Sequence, residues 1–96
     1  MGTMNWYVYI LHCADGSLYT GITTDVSRRL QEHNEHPRLA AKYTRARRPV
    51  TLVYVEEVAD RAVAVKREYA IKQLKRKEKK AMVANASTVV RSGNRE

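Results

Sequence analysis

Two short runs of aromatic and β-branched residues stand on either side of a turn signal. They are residues 5–12 (Asn-Trp-Tyr-Val-Tyr-Ile-Leu-His) and 17–23 (Ser-Leu-Tyr-Thr-Gly-Ile-Thr), separated by Ala14-Asp15-Gly16. Strands of this composition with so short a connection pair antiparallel, because a parallel pair needs a crossover of about a dozen residues or more. The chain is therefore built on a hairpin. Its 96 residues leave room for one domain and one core around that hairpin.

The rest of the chain supplies what the hairpin must pack against. Asp25 is placed to cap a helix over 26–35, in which Val26 and Leu30 share a face with Arg29 and His33. Pro37 ends it. The stretch from Arg38 to Arg48 is basic and holds no acid, and Pro49 opens a third strand over 50–55. Asp60 caps a second long helix running to residue 74. Within it Ala64, Glu68 and Ile71 fall at i, i+4 and i+7, so Glu68 lies on the stripe that faces the core. A charged helix over 76–84 follows. The fold class is α/β in the α+β sense: a small three-stranded antiparallel sheet flanked by helices. Residues 1–4 read as extra residues around a natural start at Met4, 5–84 as the domain, and 85–96 as a disordered basic tail.

Lys and Arg number 18 against 10 Asp and Glu, a formal net charge of +8. A small domain with that imbalance expects a polyanionic partner, and nucleic acid is the commonest. A membrane surface is set aside. No apolar run approaches the roughly 20 residues needed to span a bilayer, and no secretory signal is visible. The lone Cys13 permits neither an internal disulfide nor a Cys-rich zinc site, and it fits a small apolar residue in a cytoplasmic protein.

Read in order, the chain shows Tyr7-Val8-Tyr9, then Tyr19-Thr20-Gly21, then Arg29 ten residues after Tyr19, then Glu68 on a later helix. With Ala41-Lys-Tyr-Thr-Arg45, Leu52-Val-Tyr54 and Glu68-Tyr69 between and after them, this order and spacing resemble the GIY-YIG nuclease superfamily. The likeness is strongest to its small single-domain bacterial members and covers about 5–83. The resemblance implies a metal-dependent endonuclease acting on nucleic acid, DNA rather than RNA. It implies that Tyr9 or Tyr19 takes a proton from the attacking water, and that Arg29 holds the scissile phosphate. It further implies that His33 supports a catalytic tyrosine, and that Glu68 binds one divalent cation, Mg²⁺ or Mn²⁺. Chemistry supports these roles independently. A guanidinium matches phosphate geometry, and a phenol with an ordinary pKa near 10 acts as a base only under a cationic field.

Each residue also has a plainer reading. The tyrosines pack well in strands, Arg29 can be one more solvated charge beside Arg28, and Glu68 can pair with a lysine at the core edge. His33 either supports a tyrosine or caps the sheet edge. Gly21 either admits a phosphate or the following helix, or simply ends a strand. His12 and His36 read as surface residues. Three departures from the family pattern stand out: Tyr7 replaces the founding glycine, Ile22 follows Gly21, and no Asn lies around Lys79-Lys80, where many family enzymes contact phosphate.

The nucleic-acid footprint is assigned to Lys42, Tyr43, Arg45, Arg47 and Arg48, and to Lys72 and Lys75, with Tyr43 offered as a stacking surface for an unpaired base. No sequence-reading motif is attached, so substrate choice is structure-selective, nonspecific or directed by a partner protein. Two rival classes remain: a nucleic-acid-binding module with little activity, and a catalytic subunit silent until a partner docks.

Overall fold

A computed structural model describes residues 5–86. The expectations for residues 1–4 and for the tail from 87 onward lie outside the described residues. Strand β1 (Trp6–His12) pairs antiparallel with β2 (Leu18–Thr23) and with β3 (Thr51–Val58), giving the order β2-β1-β3. Helices α1 (Val26–Glu35) and α2 (Lys42–Arg45) lie between β2 and β3 in the chain; α3 (Arg61–Lys72) and α4 (Arg76–Ala86) follow. No helix among the described residues is long and apolar enough to cross a membrane.

The hairpin turns where the sequence placed it. Gly16 has φ +87°, a backbone region that β-carbon sterics close to most other residues. Asp15 Oδ1 accepts from the Ser17 amide at 3.0 Å and from its hydroxyl at 2.6 Å. Two arginines then grip the turn, one from the segment after α2 and one from α4: Arg47 Nε donates to Asp15 Oδ2 at 2.9 Å and Arg76 Nη2 to the Gly16 carbonyl at 2.9 Å.

Alternation along the strands divides the core into two layers. Val8 and Ile10 face one side with Ala64 and Ile71, and Trp6, Leu18, Ile22, Met82 and Val83 close around them, so α3 and α4 cover this face. Tyr9, Leu11, Cys13 and Val50 face the other side, with Tyr19, Leu30 and Leu52 packed against them. The helix caps form as expected: Asp25 Oδ1 accepts from the Arg28 amide at 3.0 Å and Asp60 Oδ1 from the Val63 amide at 2.9 Å.

Several boundaries differ from the sequence expectation, the first of them for a tertiary reason. The third strand runs on through Glu56 and Glu57 to Val58 because it has β1 to pair with as far as Trp6. Glu56 is accommodated on the α3 face by a two-pronged Arg67 contact, with both N–O distances 2.8 Å, and by the Tyr54 hydroxyl at 2.7 Å. A bulge between the Ile10 and Leu11 pairings resets the strand's register near its start. Second, the basic stretch after Pro37 contains the one-turn helix α2. Third, the long helix stops at Lys72, two residues early, and α4 continues two residues past 84.

Asn34 on α1 joins its layer to Val50, the residue that leads into β3. Its Nδ2 donates to the Val50 carbonyl at 3.0 Å and its Oδ1 accepts from the Val50 amide at 2.7 Å, in the manner of a strand neighbour. Val50 is buried, so losing this partner strands two backbone groups. Asn34→Ala is expected to destabilise the fold by about 1–3 kcal/mol, read as a lower urea midpoint with an unchanged m-value; an unshifted midpoint would show that the bridge contributes nothing.

Candidate active site

Tyr9 sits on the central strand directly opposite Gly21, and Tyr19 sits opposite Leu11. The register therefore puts both tyrosines on the face that carries α1. A Cβ built at Gly21 would fall on the Tyr9 hydroxyl and 2.6 Å from its Cζ. The glycine is there to let the Tyr9 ring lie across the edge strand. This replaces the expectation that Gly21 admits a phosphate or the next helix.

His33 comes down from α1 onto the two rings. It is fully buried. Its Nε2 lies 2.8 Å from the Tyr9 hydroxyl and its Nδ1 2.7 Å from the Thr44 hydroxyl of α2. Its ring meets Tyr9 and Tyr19 edge-on, with centroids 5.9 and 5.3 Å apart. Of the two readings open for His33, the geometry is that of a residue bonded to a tyrosine. Arg29 lies one helical turn earlier. It is held by Glu32 Oε1 at 2.9 Å and by the Leu39 carbonyl at 2.7 Å, and its guanidinium stands beside the Tyr9 phenol. It is not a free solvated charge.

These surroundings keep the network in one protonation state. Burial, reinforced by the neighbouring Tyr19, pushes the Tyr9 phenol up to about 12, although Arg29 pulls the other way. Burial, with the Arg29 charge next to it, pushes His33 down to about 4. At neutral pH the proton therefore stays on Tyr9 and His33 is uncharged. For Arg29, burial alone would favour the neutral form, but its hydrogen bonds to Glu32 and Tyr9 outweigh this and raise its pKa.

Glu68 approaches from α3. Its neighbours on the stripe, Ala64 and Ile71, are buried as expected, while its own side chain keeps 22% of its exposure and pairs with Lys72 at 3.1 Å. Its carboxylate is close enough to Tyr9 to disfavour the phenolate. Among the described residues no three His, Cys, Asp or Glu form a ligand cluster. A single accessible carboxylate still fits Mg²⁺ or Mn²⁺, which keep several waters and complete their shells with substrate phosphate oxygens. The half-exposed lysine pair is a weak competitor.

The expected nucleic-acid residues divide three ways. Lys42 and Arg45 are exposed on α2, and Lys72 and Lys75 are exposed at the α3–α4 junction. The two groups lie on different sides of the sheet, and each side sends an arginine, Arg47 or Arg76, to the hairpin turn. Tyr43 is stacked on Tyr19 with centroids 5.8 Å apart, and the Arg47 guanidinium lies 3.8 Å from the Tyr43 ring centre. Arg48 turns inward and donates to the Glu32, His33 and His36 carbonyls, closing the C-terminus of α1. Sequence reasoning missed Thr44. Its signal was its place in Ala41-Lys-Tyr-Thr-Arg45, one of the runs that carry the resemblance.

Residues 5–81 match the model of the GIY-YIG catalytic domain. A UPF0213 protein of Desulfotalea psychrophila is 59% identical over 78 residues, covering 81% of this chain and 70% of that one. A UPF0213 protein of Halobacterium salinarum is 51% identical over 76 residues, covering 79% and 96%, so the relatives extend beyond bacteria to archaea. The solution NMR structure of a UPF0213 protein from Bacillus halodurans superposes with a TM-score of 0.57 at 42% identity, covering 95% of this chain and all of that one.

The depressed His33 pKa has a consequence for stability. The unfolded chain binds a proton near pH 6.5 while the folded one resists it down to about 4. Stability from this group is therefore complete above pH 6.5 and drains away as pH falls toward 4. Between pH 7 and pH 5 the loss is about 2 kcal/mol. Thermal melts of the wild type and His33→Gln at the two pH values should show the wild type losing more than the variant. Equal losses would mean that His33 is not held neutral.

Proposed function

The chain belongs to the GIY-YIG catalytic-domain family, and from that premise we propose that it is a metal-dependent endonuclease that hydrolyses phosphodiester bonds in DNA rather than RNA. The observation that carries this reading is the meeting of Tyr9, Tyr19 and His33 on one face of the sheet, with Arg29 held one helical turn earlier on α1 by Glu32 and the Leu39 carbonyl.

Phosphodiester hydrolysis needs a proton acceptor for the attacking water, neutralisation of the phosphate charge and relief of the leaving oxygen. Tyr9 or Tyr19 takes the proton. Arg29, braced by Glu32 and Leu39, presents its remaining donors to the phosphate; the brace reduces the freedom it must lose on binding. Glu68 holds the divalent cation. That cation, when bound, neutralises phosphate charge and favours ionisation of neighbouring groups. Lys42, Arg45 and Arg47 on one side, and Lys72 and Lys75 on the other, supply the salt-sensitive backbone contacts. The family-based assignment of DNA comes with structure-selective or nonspecific cutting, or with targeting by a partner protein, in the cytoplasm. No reader motif accompanies the domain in this sequence.

One observation favours a second reading. α4 presents Lys79 and Lys80 where many family enzymes carry Asn, so the domain can instead be a binding module with little turnover. The two readings separate on branched, single-stranded and duplex DNA with Mg²⁺ or Mn²⁺. Glu68→Ala and Arg29→Ala are expected to lower the cleavage rate by about 10²–10³-fold while leaving the fold intact. Cleavage by both variants at the wild-type rate would remove these residues from the site. Salt-sensitive binding without metal-stimulated cleavage would favour the module.

The Tyr9 pKa near 12 sets a further expectation. Phenolate is scarce at neutral pH and grows with each pH unit, so the single-turnover rate should climb from pH 7 into the alkaline range. A flat profile, with chemistry shown to be the slow step, would exclude tyrosine deprotonation as its source.

A further inference from the structure

Each ring nitrogen of His33 faces an oxygen: Nε2 the Tyr9 hydroxyl at 2.8 Å, Nδ1 the Thr44 hydroxyl at 2.7 Å. A hydroxyl can donate or accept, so these two distances permit either tautomer. A third contact removes the freedom. The Thr44 hydroxyl also lies 3.0 Å from the Ala41 backbone carbonyl, and a carbonyl only accepts. That carbonyl also accepts from the Arg45 amide at 3.0 Å, and its second lone pair takes the Thr44 proton; with that assignment the short contact to His33 is made by Nδ1 donating. A neutral imidazole then has a bare Nε2, which accepts from Tyr9. The hydrogens run one way: Tyr9 to His33, His33 to Thr44, Thr44 to the Ala41 carbonyl. His33 and Thr44 are both fully buried, so water does not stand in for a missing partner.

We infer that Thr44 is a positioning residue of the nuclease site: by fixing His33 as the Nδ1–H tautomer, it aims the Tyr9 proton inward and leaves the phenolic lone pairs facing the Arg29 side. The inference rests on the nuclease reading for its catalytic meaning. The opposite tautomer would work against the site. Nε2–H would donate to the Tyr9 oxygen and take up a lone pair. The Tyr9 proton would then turn outward against Arg29, which has no acceptor to offer it. Glycine at 21, histidine at 33 and threonine at 44 thus act on one hydroxyl. Gly21 gives it room, His33 takes its proton as a hydrogen bond, and Thr44 decides which ring nitrogen is free to do so.

The test reads the tautomer and the rate separately. Long-range ¹H–¹⁵N NMR of the full chain at neutral pH is expected to place the His33 proton on Nδ1. In Thr44→Val, which keeps shape but loses the hydroxyl, the proton should move to Nε2; in Thr44→Ser it should stay. On a branched DNA with Mn²⁺, Thr44→Val should cut about 10- to 100-fold more slowly in single turnover with unchanged DNA binding, and Thr44→Ser should restore the rate. A wild-type proton on Nε2 overturns the inference without need of any variant, including the case where Thr44→Val does not fold. A Thr44→Val that cuts as fast as wild type overturns it as well. A wild-type chain that cuts none of the DNA substrates overturns the nuclease reading instead, and the catalytic role of Thr44 with it, while the tautomer is still judged by its own measurement.

Discussion

The aromatic ring of Tyr9 lies flat across Gly21 and ends against a histidine with no exposure to solvent. Much else follows from that arrangement. The central strand cannot slip by one residue without sending Tyr9 to the α3 face and its apolar neighbours to the α1 face. The edge strand cannot carry a side chain at residue 21. Helix α1 must hold its second turn at one height so that His33 meets the phenol, and Arg48 and Asn34 fix that height, one by closing the helix's C-terminal carbonyls and the other by bonding to Val50. The site and the fold thus share the same restraints.

A buried polar network of this kind is stabilising only when every member has a partner, because the low dielectric that strengthens each bond also makes an orphaned group costly. Here the network ends on a backbone carbonyl, a group that needs no proton of its own, and the order of donors is settled at that end. The other end opens toward Arg29 and Glu68, where charge is allowed. A neutral, closed interior beside a charged, open rim separates the part of the site that sets geometry from the part that meets phosphate.

Much of this was legible in the residues. The hairpin followed from two strand-like runs around Asp15-Gly16, the helix starts from Asp25 and Asp60, and the burial of Ala64 and Ile71 from their helical spacing. Tyr9, Tyr19, Arg29 and His33 could be named from the family resemblance, while strand alternation and helical turns told only which of them share a face. The length of β3 was not legible. Glu56 and Glu57 disfavour strand on their own, and only Arg67 and the facing length of β1 outweigh that preference. Nor was the fate of the basic stretch. Lys42 and Arg45 reach solvent, Arg47 covers Tyr43, and Arg48 caps α1, although all four carry the same charge in neighbouring positions.

The sequence by itself determined the hairpin, the third strand's place, the three longer helices, the family and the chemical types gathered at the site, because local periodicity, capping and motif spacing are properties of neighbouring residues. Only the tertiary structure decided what each group does with its hydrogen bonds. Gly21 makes room for a ring and not for a helix, Tyr43 meets both Tyr19 and Arg47, and Thr44 governs a histidine eleven residues away. Those outcomes depend on which atoms meet across elements, and a one-dimensional pattern carries no record of the direction in which a proton points.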